Sequence, residues 1–346
     1  MKRATNEPDG VRTPEIPARF IERPRLRADF DRGTAGAVTL VAAGPGSGKT
    51  AALAHWARTS RQPIAWLSVD RRHQAPQRFW SRVGDALFAV GAIEDARALD
   101  SLVHDADRPG EFLDELMGSL PSGPGAVLVV DDAHLLTDPV LLAELDDAIR
   151  LGSGRLRLVL SARSDPLLPL HRYRLAGALH EVRADALAMT KPEIRALLRA
   201  HGVSLRKGAL DMLADRTEGW VGGVRLSAMS MAGSAAPEAF VAKLTIDQGS
   251  IGEYLVEEVL SRQPEPVRRL LIETSFLDEI SGSLAAAVSG SPDAPALLAE
   301  LARTNSFVLP VGREPDRYRY HPLLAEILRY LLQREGPAIG AALRRR

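Results

Sequence analysis

Apolar and polar positions alternate along the first half of the chain in a way that predicts two kinds of element. Val38–Ala42, Ile64–Val69, Ala126–Val130 and Leu156–Ser161 are short, nearly continuous apolar runs. Such runs suit strands covered on both faces. Between them lie helical patterns near Lys49–Ala57, Gln77–Val90, Gly110–Leu120 and Pro139–Arg150. Strands alternating with helices predict a parallel sheet inside a three-layer α/β domain. After about Arg183 helices dominate. Thr190 and Glu193, and again Ser250 and Glu253, have the spacing of capping boxes. Behind the second, Ile251, Tyr254, Leu255 and Val259 share one helical face. Near the end, Ser306–Val311 and Arg317–His321 read as two strands around a Gly312–Asp316 turn, followed by a helix from Pro322 to about Gln333. Helices closed by a small hairpin predict a winged-helix module. The expected division is a disordered lead over 1–15, a nucleotide-binding domain over 16–185, a helical domain over 186–235, a winged-helix domain over 236–335 and a tail over 336–346.

Composition removes several chemistries. The chain has 346 residues with 44 Lys+Arg against 44 Asp+Glu, so bulk positive charge offers no route to nucleic acid. It has no cysteine, which excludes disulfides, thiolate nucleophiles and Cys-bound zinc. The eight histidines come no closer than His171 and His180, too far apart for a local metal cluster. No apolar run approaches the roughly 20 residues needed to span a bilayer. A cytoplasmic setting without membrane partners is expected.

The most informative segment is Ala43-Gly44-Pro45-Gly46-Ser47-Gly48-Lys49-Thr50. It fits the phosphate-loop pattern G-x-x-x-x-G-K-[ST] with Ala43 at the first glycine position. A loop whose backbone N–H groups converge on a polyphosphate needs glycines at its tight points, here Gly46 and Gly48. A helix opening just beyond adds its positive dipole end. Lys49 supplies a point charge for the β- and γ-phosphates, and Thr50 a hydroxyl for Mg²⁺. Val127-Leu128-Val129-Val130-Asp131-Asp132 is an apolar strand ending in two carboxylates, the form of a Walker B element. It is expected beside the phosphate-loop strand, with Asp131 serving the Mg²⁺ and Asp132 orienting or deprotonating an attacking water. The next strand ends at Arg163, placed to sense a γ-phosphate. From Arg150 to Arg183 there are seven arginines and two acids. That excess predicts an anion-facing edge, with Arg172 and Arg174 as further candidates.

Taken together, the phosphate loop, the Val130-Asp131-Asp132-Ala133-His134 element and the Ser161-Ala162-Arg163 strand end resemble the STAND class of signalling NTPases. Within that class they resemble the MalT-like, ATP-dependent LuxR-type regulators. Arg23-Pro24-Arg25-Leu26 is similar to the segment that closes over adenine in that family. Glu218-Gly219-Trp220-Val221-Gly222-Gly223 is similar to its helical-domain motif, with Val221 where the family has proline. Tyr318-Arg319-Tyr320-His321-Pro322-Leu323 is similar to the end of its winged-helix domain.

The resemblance implies an AAA+/STAND-like fold and an ATP/ADP switch with Mg²⁺. It further implies an ADP-bound resting form contacted by Arg23, Pro24 and His321, self-association in the ATP form, and slow hydrolysis as the reset. Family members continue into a superhelical sensor and a helix-turn-helix, so DNA contact is expected only through a domain absent from these 346 residues. Two alternatives stay open: an AAA+ type ATPase with a DNA-binding winged helix, and a small-molecule P-loop kinase.

Overall fold

The computed structural model describes residues 11–70, 75–95, 111–120, 125–152, 154–242, 250–304, 307–311, 316–335 and 343. The chain divides into two compact units. One comprises Met1–Ala42 and Lys49–Ala186, the other Ala43–Gly48 and Leu187–Arg346.

The first unit is built on a five-stranded parallel sheet of β1 (Val38–Ala42), β2 (Ile64–Ser68), β3 (Ala126–Asp131), β4 (Leu156–Ala162) and β5 (Leu179–Val182). The spatial order is β2-β3-β4-β1-β5. The walls are α1 (Pro24–Gly33), α2 (Lys49–Thr59), α3 (Pro76–Ala89), α4 (Glu111–Ser119), α5 (Pro139–Leu151) and the short α6 (Leu170–Leu175). Every residue of β1 and β3 is buried, as the continuous apolar runs require. Leu40, Leu67, Leu128 and Leu160 join Phe79, Val83, Leu116 and Leu145 of the helices in one core. The alternate residues Val41, Trp66, Val129 and Val159 are buried too, as the two-residue period of a doubly covered sheet demands. Phe30 of α1 and Trp56 of α2 meet at 5.8 Å.

The structure corrects the expected neighbour of the acid-bearing strand. β3 pairs with β2 and β4, and β1 with β4 and β5, so β4 lies between β1 and β3. Side chains rather than adjacent backbones must therefore bring Thr50 and Asp131 together. The fifth strand was not foreseen. The lead is shorter than expected: Val11 is buried in the core, and Arg58 donates to the carbonyls of Pro14 (2.6 Å) and Thr13 (3.1 Å). An apolar side chain and an arginine clamp outweigh the local polar composition there. Residues 1–10 lie outside the described residues.

The second unit opens with α7 (Lys191–Ala200), which begins with the expected capping box between Thr190 and Glu193. It continues through α8 (Lys207–Thr217) and α9 (Val221–Met231), and Gly233 turns the chain at a φ of +76°. α10 (Ser250–Leu255) runs into a π-helical turn, Val256–Leu260. Ile251, Leu255 and Val259 are buried and Tyr254 half-buried, as the predicted face requires. The side chain of Ser250 lies outside the described residues.

Next come α11 (Glu265–Glu273), β6 (Ile280–Ser281), α12 (Gly282–Ser289), α13 (Ala294–Thr304), β7 (Val308–Pro310), β8 (Arg317–Tyr320) and α14 (Pro322–Glu335). The three strands form an antiparallel sheet in the order β6-β8-β7. Helices ending in this hairpin make a winged helix. Turn residues 312–315 and tail residues 336–346, apart from 343, lie outside the described residues. Among the described residues no helix is long and apolar enough to cross a membrane.

Candidate functional site

Within the first unit, Lys49, Thr50, Asp131, Asp132, His134 and Arg163 gather where β3 and β4 end and α2 begins. Lys49 is buried, at 8% exposure, and burial lowers its pKa to about 8. The charges of Asp131 and Asp132 partly restore it, and Arg163 opposes them. Asp131 is buried at 4%, and burial raises its pKa above the usual carboxylate value. The hydroxyls of Ser161 and Thr50 offset this in part, while the charge of Asp132 adds to it. Thr50 Oγ1 donates to Asp131 Oδ2 at 2.9 Å. Buried charges of this kind cost stability unless matched.

Asp132 adopts the left-handed conformation (φ 58°, ψ 36°), and its side chain is 45% exposed. Asp tolerates that region better than most residues, and strain there is common at working sites. His134 is held neutral: burial first, then the charges of Arg163 and Lys49, lower its pKa to about 4. Its Nδ1 faces the Arg163 backbone N–H at 3.4 Å, a long contact linking the ends of β3 and β4.

The phosphate loop itself, Ala43–Gly48, groups with the second unit. Gly46 and Gly48 have φ of +71° and +78°, so both use the freedom only glycine has cheaply. Ser47 Oγ donates to the Gly44 carbonyl at 2.8 Å. Trp220 Nε1 donates to the Pro45 carbonyl at 3.1 Å, and the Gly222 N–H to the Gly46 carbonyl at 2.9 Å. Ala43 is buried, at 3% exposure, directly after β1.

The other predicted residues lie elsewhere. Arg23 is buried and precedes Pro24, the first residue of α1. It lines a small surface cleft with Phe20, Leu26, Ala52, His55 and Trp56. Arg172 does not join the Lys49 group: it is 68% exposed and sits 4.0 Å from Asp146.

The anion-facing edge expected over Arg150–Arg183 is largely neutralised. Arg150 pairs with Asp146 and Asp147, and Arg174 and Arg183 both pair with Asp165 and Glu181. Arg174 above all holds the Glu181 carboxyl down at about 2. Two of the neutralising acids, Asp146 and Asp147, come from α5, outside the segment, which is why a local count missed them.

His321, in the second unit, is 4% exposed and has both ring nitrogens engaged. Nδ1 accepts from the Leu323 N–H at 3.2 Å, which leaves Nε2 as the donor to the Thr217 carbonyl at 3.1 Å. Burial lowers its pKa, so the ring is neutral. Contact with a nucleotide would require one of these bonds to open.

No group of three or more His, Asp or Glu side chains suited to a metal occurs among the described residues. Mg²⁺ in nucleotide sites takes only one or two protein oxygens, the rest coming from phosphates and water. The Thr50–Asp131 pair, with its buried carboxylate, fits that demand. Trp220, expected only as part of the Glu218–Gly223 motif, bonds the phosphate loop directly, and the glycines flanking it were the available signal.

The sheet, the glycine-bearing loop and the strand-end acids define a P-loop NTPase fold, followed by a winged helix. Residues 256–339 match the family model described as the MalT winged helix domain. The HTH-type transcriptional regulator MalT of Cronobacter sakazakii is 27% identical over 326 residues, spanning 91% of this chain and 35% of its own length. The serine/threonine-protein kinase PknK of Mycobacterium tuberculosis is 27% identical over 340 residues, 96% of this chain and 31% of its own. The chain thus spans about a third of the length of these curated relatives. In fold it is similar to the Walker-type ATPase PABY2304 of Pyrococcus abyssi, with a TM-score of 0.58 and 15% identity over 90% of this chain and 96% of that one. The chain is thus similar to the MalT winged helix over residues 256–339, and its fold is that of a P-loop NTPase.

Proposed function

We propose that this chain is the nucleotide-operated switch core of a signal-transducing transcriptional regulator. The observation that carries this reading is the group of Lys49, Thr50 and Asp131, with a buried ammonium and a buried carboxylate beside one hydroxyl. A Mg²⁺-nucleotide offers each of them the opposite partner: anionic oxygens for Lys49, and a cation for Asp131 and Thr50. Bound Mg²⁺ would neutralise charge on the polyphosphate.

In this reading Lys49 binds the β- and γ-phosphates, and Ala43, Gly44, Gly46, Ser47 and Gly48 form the anion cradle. Asp132 accepts a proton from the attacking water, and Arg163 reads the γ-phosphate. Arg23 and Pro24 border the base. Hydrolysis is slow and resets an ADP-bound form, while ATP favours self-association. A ligand shifts two conformations only by its difference in affinity for them, and the γ-phosphate supplies that difference.

The relatives add support. One is named a transcriptional regulator and the other a protein kinase, yet both align with nearly all of this chain. A region common to two different outputs suits a shared regulatory core better than either output. A DNA-reading winged helix is less suited to α13, whose exposed Arg303 is paired with Glu300 at 2.6 Å, since phosphate contact calls for a surplus of positive charge. Calorimetry with ATP and ADP, with and without Mg²⁺, tests the reading. Micromolar or tighter binding that is lost in Lys49→Ala is expected, and no binding by the wild type would refute it.

A further inference from the structure

A loop that turns its N–H groups toward an anion must turn its carbonyls away, and those carbonyls then need donors of their own. Three successive carbonyls of the phosphate loop have them. The Gly44 carbonyl takes the Ser47 hydroxyl, the Pro45 carbonyl the Trp220 indole N–H, and the Gly46 carbonyl the Gly222 N–H. The last two come from the start of α9, far away in sequence.

The indole is also seated by glycines. A Cβ on Gly46 would lie 2.8 Å from Trp220 Cζ2, one on Gly222 2.7 Å from the same atom, and one on Gly223 2.6 Å from Cε3. All three contacts are closer than real Cβ atoms approach, so each position needs to lack a side chain for the ring to sit there. The opposite surroundings of the ring belong to the winged-helix half. Phe307, just before β7, meets Trp220 edge-on at 5.2 Å, Tyr254 lies at 5.7 Å and His321 at 6.3 Å. Phe307 in turn meets His321 at 5.4 Å.

We infer that Trp220 is a positioning residue for the phosphate loop, and that it couples the shape of the loop to the winged-helix segment. It holds the Pro45 carbonyl outward, and so leaves the loop amides available to phosphate. Its ring transmits any displacement of Gly46 to Phe307 and His321. The consequence for the switch rests on the nucleotide-binding reading above, but the preshaping of the loop does not. Close-packed interiors pass on strain because side chains have little free volume into which to relax. In this arrangement His321 reads the nucleotide through Trp220, while both of its own nitrogens stay bonded to backbone.

The test uses the full chain, with hydrogen exchange and calorimetry. Trp220→Phe keeps a ring but removes the N–H, and leaves the Pro45 carbonyl without that donor. Faster exchange at the Gly46–Lys49 amides is expected without any nucleotide, together with roughly five- to tenfold weaker ADP and ATP binding. ADP should protect residues 307–311 and 321–323 in the wild type and lose at least half of that protection in the variant. Gly222→Ala improves intrinsic helix propensity but drives a methyl into the indole, so it should weaken nucleotide binding without lowering the melting temperature by more than a few degrees.

Unchanged loop exchange in Trp220→Phe overturns the inference, whether or not nucleotide binds. Faster loop exchange with wild-type affinity and wild-type protection at 307–311 overturns the coupling. A wild-type chain that binds no nucleotide, yet shows faster loop exchange in the variant, refutes the functional reading and upholds the positioning role.

Discussion

Two polar groups lie at the heart of the two units, and they are built on opposite terms. At the end of the sheet, Lys49 and Asp131 are buried with their pKa values displaced toward neutrality, lowered for the lysine and raised for the acid. In the winged-helix unit the buried polar cluster around His321 and Tyr320 is hydrogen-bonded. His321 uses both nitrogens, and Tyr320 shares a hydrogen bond of 2.6 Å with Thr274. The first group stores electrostatic cost that a charged ligand can relieve. The second spends its hydrogen bonds on holding one conformation. Binding energy is therefore available at the sheet, and conformational specificity at the winged helix.

The contrast can be broken by substitution. The largest effect is expected from Lys49→Ala, which should weaken ATP binding on the order of a hundredfold or more by calorimetry. Asp132→Ala comes next, keeping ATP affinity within a few-fold while lowering phosphate release about a hundredfold in a steady-state assay. Arg163→Ala should narrow the difference between ATP and ADP affinity by about tenfold, if this arginine contributes roughly 1–2 kcal/mol of coupling to the γ-phosphate.

Titration sharpens the comparison further. Lys49 loses its proton as pH rises through about 8 in the free protein, so ATP affinity should fall across that range. Its folded pKa lies below the ordinary 10.5. The fold therefore loses stability as pH falls from 10.5 to about 8 and remains at that lower level below it. Lys49→Met should accordingly raise the melting temperature of the nucleotide-free protein at pH 7.

His134 titrates below its ordinary value, near 4. Its share of stability is whole above about 6.5 and is lost as pH falls toward 4, and His134→Gln should flatten that slope in thermal melts. The smallest effect is expected in the matched group. His321→Gln can remake one of two bonds, and should cost about 1–2 kcal/mol, a shift of a few degrees in melting temperature at pH 7.5.

The strands were legible wherever burial on both faces made the apolar run continuous, as in β1 and β3. β5 was not. Its four residues, Leu179–Val182, are half-buried apart from Val182 and include His180 and Glu181, so an edge strand here has no run to read. The order of the strands was equally hidden, since local periodicity does not encode which parallel strands are neighbours.

Among the candidate site residues, the glycine loop, Lys49, Thr50 and Asp131 could be picked out because one chemistry would force their spacing, and the structure brings the last three together. The arginines were misleading, because their partners Asp146 and Asp147 come from another element. Trp220 was visible in the sequence, but its partner, the Pro45 carbonyl, lies far away along the chain.

With β4 lying between them, β1 and β3 stand two hydrogen-bonding steps apart, about 10 Å between backbones. The calibre of the proposed metal seat is therefore set by side-chain length, one hydroxyethyl group and one short acid. Asp131→Glu, which adds a single methylene, should crowd the seat, whereas Thr50→Ser should leave its gauge intact. In this design the sheet acts as a ruler and the two side chains mark off its final divisions.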